Sequence, residues 1–208
     1  MGVTLFAQND TPYGKSMQQW SNRWWNWIVG QPTKFNPTED LKGDFADNCQ
    51  TYDNVYFLCG TTRTMNNVKR KCDIPDGKSI LLPVICYEHS LLEDKNVKNP
   101  QELLRLSTND LNDYDIKDIS AKIGGKDYNT TNGIIRIKSP LFRMTLPKNN
   151  IWNTDAGFTV AAADGYWLFI NDLDPGSYDV MVKAKPKSSS SNSGILEINT
   201  TYKINIIG

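Results

Sequence analysis

The sequence predicts an α+β fold that is mainly β: an antiparallel sandwich with a tryptophan-rich amphipathic helix packed on it and a second, short helix. Three observations point there. From residue 116 to the C-terminus, apolar and polar residues alternate with period two through most segments. Residues 16–32, SMQQWSNRWWNWIVGQP, carry their apolar side chains at helical spacing instead. The chain has 208 residues and no internal repeat, enough for one substantial core. A single domain over 1–208 is expected, made of an N-terminal helix and disulfide-linked segment (1–98), a helix (99–112) and a C-terminal β region (116–208).

The first helix has clear ends. Ser16 is a good N-cap with Gln19 three residues on, a capping box, and Gly30 followed by Pro32 supplies the stop. At 100° per residue, Met17, Trp20, Trp24, Trp25, Trp27 and Ile28 share one arc, and amides with Arg23 occupy the other. Four indoles could remove about 800 Å² from water, at up to about 250 Å² each. Soluble monomers seldom leave a patch of that size exposed. The helix should therefore lie across a sheet as a lid on the core. A ligand-stacking platform built on Trp20, Trp24, Trp25 and Trp27 is the alternative. A membrane-docking face would want more than one Arg among the amides.

After an irregular stretch, NVYFLCGTT alternates as a strand with Val55, Phe57 and Cys59 on one face. A Pro-Asp-Gly turn then leads into SILLPVICY, whose unbroken hydrophobicity predicts a central strand buried on both sides, with Pro83 forcing a bulge or an edge. Asn99, Pro100 and Glu102 mark the start of the second helix. Ile119, Ala121 and Ile123 alternate, IIRIK and FRMTLP follow, and two strands flank a Pro-Gly turn. SSSSNSG reads as a flexible hairpin tip before a last alternating strand.

Lys plus Arg and Asp plus Glu both total 23, so no net charge favours nucleic acid or anionic lipid. No apolar run approaches the length of a membrane-spanning helix. Cys49, Cys59, Cys72 and Cys86 contain no Cys-x-x-Cys, and His89 is the only imidazole. An even number without metal spacing favours disulfides, Cys49–Cys72 and Cys59–Cys86, each closing a loop of about 25 residues worth about 3 kcal/mol. Buried free thiols and a metal site are the alternatives. Sequons at Asn129 and Asn199, with a third at Asn9, fit an exported protein, and LFAQND suits the mature side of a removed signal peptide.

Taken together, YGKSMQQWSNRWWNW, VYFLCGTT, KCDIPDGKSILLPVI and DGYWLFINDLDPGSYDVMVKA resemble an uncharacterised family of exported bacterial and archaeal proteins. The resemblance implies secretion and brings no catalytic residues. The DLDPGSYDVMVKA stretch is similar to the late hairpin of immunoglobulin-like sandwiches, which makes that the sandwich type to expect.

Candidate chemistry centres on CYEHSLLED. His89 could serve as a base for Ser90 or Ser16, or join Glu88, Glu93 and Asp94 at a metal. Strand alternation puts Glu88 and Ser90 on one side and His89 on the other. A surface histidine at a strand end is the plainer reading. Asp172 and Asp174 lack calcium-loop spacing, and Arg63, Lys69, Arg70 and Lys71 read as a solvated hairpin. Gly-x-Ser-x-Gly and phosphate-loop motifs are absent. The sequence thus favours a non-enzymatic extracellular or cell-surface binding or structural protein, without cofactor or metal, whose partner is a carbohydrate or another cell-surface protein. The alternative is an extracellular hydrolase using His89 with Glu88 or a nearby serine. A third reading is an assembly subunit whose terminal strand pairs with a neighbour.

Overall fold

Two five-stranded sheets and the tryptophan helix stack as three layers in the computed structural model, which describes residues 3–50, 54–61, 68–171, 173–187 and 197–208. The first sheet comprises β1 (Val55–Phe57), β3 (Ser79–Ser90), β6 (Ile135–Lys138), β7 (Phe142–Leu146) and β8 (Gly157–Ile170). The second runs in the order β2 (Val68–Pro75), β10 (Ile198–Ile207), β9 (Gly176–Pro186), β4 (Tyr114–Ile123) and β5 (Lys126–Asn129). One helix, α1 (Met17–Val29), covers the outer face of the first sheet, and α2 (Gln101–Leu111) packs beside β3 and β8.

This layering explains the sequence pattern. The first sheet is sandwiched between α1 and the second sheet, so β3 and β8 are apolar on both faces, as SILLPVICY predicted. The second sheet has water on one side, and β2 alternates strictly between buried and exposed. Val55, Phe57 and Cys59 do share a face, turned to α1, whereas Tyr56 and Leu58 face the second sheet. Pro83 makes the expected bulge: Pro83 pairs with Trp167 and Ile85 with Tyr166, leaving Val84 as the extra residue. Gly165 lies opposite Cys86 just past this bulge. A Cβ there would sit 2.5 Å from that of Cys86, so only glycine fits.

α1 begins as read. Gln19 N–H donates to Ser16 Oγ at 3.3 Å, and Ser16 N–H to Gln19 Oε1 at 2.9 Å. For α2, Gln101 N–H donates to Asn99 Oδ1 at 3.1 Å.

The arrangement departs from the expected antiparallel, immunoglobulin-like one. β1 runs parallel to β3, and β2 parallel to β10. Parallel neighbours need a long crossover. For β1 and β3 that crossover contains β2, which belongs to the opposite sheet. The strands flanking the Pro-Gly turn are not a hairpin either, because β8 and β9 lie in different sheets. β10 sits between β2 and β9, so the terminal strand offers no free edge to a neighbouring subunit. The SSSSNSG tip, Arg63 and Asp172 lie outside the described residues.

The expected disulfides are also not formed; all four cysteines are thiols. Cys49 is exposed beyond the end of α1, near Asn26 and Gly30, whereas Cys72 points into the core between the sheets. Cys59 and Cys86 both face α1, but Cys59 lies past the end of β1, where the chain has left β3. Nor is Arg70 part of a solvated hairpin. It occupies an inward position of β2 and donates to the carbonyls of Asp40, Cys59 and Gly60 and to the Tyr202 hydroxyl, at 2.7–2.9 Å. Lys69 and Lys71, one residue to either side, are exposed.

Candidate functional site

All four indoles of α1 are buried, which settles their first role as core. Three also direct their N–H groups at loop carbonyls: Trp20 to Pro12 at 2.9 Å, Trp24 to Leu58 at 2.7 Å and Trp27 to Asn48 at 2.9 Å. Each therefore staples a connection to the helix. Trp25 differs. It packs edge-on to Trp24 at 4.9 Å, and its N–H has no hydrogen-bond partner among the described residues.

Trp25 borders a cavity of about 240 Å³. The cavity exists because β1 is short. It pairs with Ser79–Leu81 only, so among the described residues nothing takes up the same edge of β3 farther along. Into that gap face Trp24, Trp25 and Ile28 from α1, and Cys86 and Glu88 from β3. The β7–β8 connection closes another side with Ile151 and Trp152, and the turn after β3 contributes Glu93.

Local hydrogen bonds place these last groups. The connection is wrapped around the buried Asn150 amide, which donates to Pro147 and Thr154 carbonyls and accepts from the N–H groups of Trp152 and Thr154. Thr154 Oγ1 donates to the Leu92 carbonyl, and Leu92 N–H to Thr159 Oγ1, so the turn bearing Glu93 is tied to the segment bearing Trp152.

Glu88 is 8% exposed, and neither carboxyl oxygen has a hydrogen-bond partner among the described residues. Burial, then the facing Glu93 carboxylate, pushes its pKa well above the usual carboxylate range. Burial raises Glu93 too, while Ser90 Oγ–H, donating to Glu93 Oε2 at 2.7 Å, lowers it in part. The two carboxyls thus face one another in a site where each resists ionisation. The Trp152 N–H is turned to Glu88 without closing a hydrogen bond of normal geometry. Burial also raises the Cys86 thiol well above its ordinary value, so it stays protonated.

His89 lies on the opposite face, as alternation required. Nδ1 meets Asp94 Oδ2 at 2.8 Å and Nε2 meets Asp110 Oδ2 at 2.9 Å. Burial lowers its pKa, but the hydrogen bonds to Asp110 and Asp94 outweigh that and the net shift is upward. Both nitrogens are thus engaged by carboxylates, and neither is turned to a serine hydroxyl. The structure therefore separates His89 from Glu88 and Ser90 and binds Ser90 to Glu93. Among the described residues no group of three or more His, Cys, Asp or Glu side chains is placed to hold a metal. Asn129 is exposed at the end of β5, its side-chain oxygen accepting from Thr131, and Asn199 is half-buried on β10. Among the described residues no helix is long and apolar enough to cross a membrane.

Sequence reading grouped Glu88 with Glu93, His89 and Asp94 at a metal, but did not bring Trp152 or the α1 indoles to the two glutamates. The available signal was an acidic residue on the same face of a buried strand as Cys86, the face turned to the indoles.

No family model matches the chain, and no curated protein does. Among solved structures, the cysteine protease inhibitor EhICP2 from Entamoeba histolytica is 10% identical, with 74% of this chain and 96% of that chain covered and a TM-score of 0.26. The solution structure of amebosin is 10% identical, with 68% and 96% covered and a TM-score of 0.22. Likeness at that level carries no argument about what this protein does.

Proposed function

We propose that this is an exported binding protein that captures a small, largely apolar molecule in the cavity between α1, the edge of β3 beyond Leu81 and the β7–β8 connection. One observation carries the reading: a cavity of about 240 Å³ whose wall holds a nine-tenths-buried carboxyl and an indole N–H, neither with a hydrogen-bond partner among the described residues. An apolar cavity of about 150 Å³ accepts benzene, so this one has room for a substituted ring or a short chain. Secretion rests on the sequence resemblance and the sequons. A carbohydrate ligand has less support, because three of the four α1 indoles use their polar edge internally. The hydrolase reading loses its base, since His89 is locked between two carboxylates away from Ser90.

Titration with 2-phenylethanol, followed by tryptophan emission and amide chemical shifts, tests this. Saturable changes at Trp25, Trp152 and Glu88 are expected, and Ile151→Trp, which fills the cavity from its loop side, should abolish them. A non-saturating response shared by the filled variant would refute the reading.

A further inference from the structure

Resting on the reading of the cavity as a ligand site, we propose that its ligand is an organic cation: a primary or alkylated ammonium group on a small apolar body, with the nitrogen against Glu93. Three observations converge on that chemistry. No Lys, Arg or His is among the described residues lining the cavity, whereas two carboxyls are. An anionic ligand would meet those carboxyls with nothing to neutralise it. A cation instead supplies the positive charge that the protein itself withholds from them.

The walls suit the same ligand. Trp24, Trp25 and Trp152 surround the space, and indoles are the best side chains for holding an ammonium group in a dry site. Ile28 and Ile151 leave the remainder apolar, to accept a hydrocarbon body. Access is graded as well. Glu93 is half-buried, so it is the carboxyl a ligand meets first, while both Glu88 oxygens are shut from solvent behind it. The surrounding charges do not cancel the pair: Asp94 adds to it, His89 on the far face of β3 offsets one charge, and α1 and the β7–β8 connection contribute only uncharged side chains to the cavity.

The experiment compares two probes of equal heavy-atom count, 2-phenylethylamine and 2-phenylethanol, by calorimetry at pH 7.5 on wild type, Glu93→Gln and Glu88→Gln. The amine should bind wild type at least tenfold more tightly than the alcohol. Glu93→Gln should bring the two to parity, with an unchanged circular dichroism spectrum showing that the variant is folded. Equal or tighter binding of the alcohol to wild type, or an amine preference surviving in both variants, would overturn the cation assignment and leave the cavity reading intact. If neither probe binds saturably, the cavity reading falls and this assignment with it.

Discussion

At the level of single residues, the α1 tryptophans separate by what their nitrogen does. Trp24 is packed by Trp25, Trp27 and Trp167, with ring centroids 4.9–6.1 Å away, and its N–H satisfies the buried Leu58 carbonyl. Trp24→Ala should cost about 3–5 kcal/mol in urea unfolding, from the cavity it leaves and the orphaned carbonyl. Trp25→Ala should cost less, because it breaks no hydrogen bond and opens onto an existing void; equal losses would contradict this ranking. Glu88 makes a prediction of opposite sign. Its folded pKa is raised, so the native state holds more protons than the unfolded chain above pH 4.5, the ordinary value. The stability this provides is complete below about that pH and drains away as pH climbs through the folded pKa. Glu88→Gln keeps the shape of the side chain and removes its titration. It should melt higher than wild type at pH 8 and close to it at pH 4, and a lower melting point at pH 8 would mean that Glu88 is ionised in place.

At the level of elements, polar links across an otherwise apolar contact fix where α2 sits. His89 joins β3 to Asp110 of α2, and Thr108 of α2 donates to Asp164 of β8 at 2.8 Å. Asp164, buried on β8, also accepts both arms of the Arg136 guanidinium at 3.0 and 2.8 Å. Because the folded His89 pKa is raised above 6.5, its stabilisation is fully present below that pH and is lost as pH rises through the folded value. His89→Ala should therefore destabilise by about 1–3 kcal/mol at pH 6 and by less at pH 9. Hydrogen exchange should localise the loss to α2. A pH-independent cost, or faster exchange around Trp25 instead, would contradict the assigned role.

For the whole molecule, three layers and two cores do the work that disulfides were expected to do. Sulfur contributes no covalent link, since all four cysteines are thiols. Reductant should leave the thermal midpoint unchanged, and a thiol reagent should label Cys49 quickly and the buried Cys59 and Cys72 only on unfolding. A midpoint lowered by several degrees under reduction would restore the bridges, which typically contribute about 2–4 kcal/mol.

Much of the fold was legible along the chain because it is set by local spacing. The α1 capping box, the faces of Val55, Phe57 and Cys59, the Pro83 bulge and the opposed directions of Glu88 and His89 follow from 3.6- and 2-residue periods or from one missing N–H. Periodicity assigns a side chain to a face and says nothing of which strand lies alongside. That is why the parallel β1–β3 and β2–β10 pairs, the change of sheet at the Pro-Gly turn and the inward Arg70 were not foreseen. The cysteines failed for the same reason, since their number carries no information about which thiols meet. Sequence alone thus determined a tryptophan helix buried on a β-rich body and the side of β3 that carries a carboxyl. Only the tertiary structure decided that β1 stops short, opening a void, and that the distant β7–β8 connection brings Trp152 to Glu88 and Glu93 there. Contacts between segments far apart in the chain depend on packing, and packing leaves no period in a sequence.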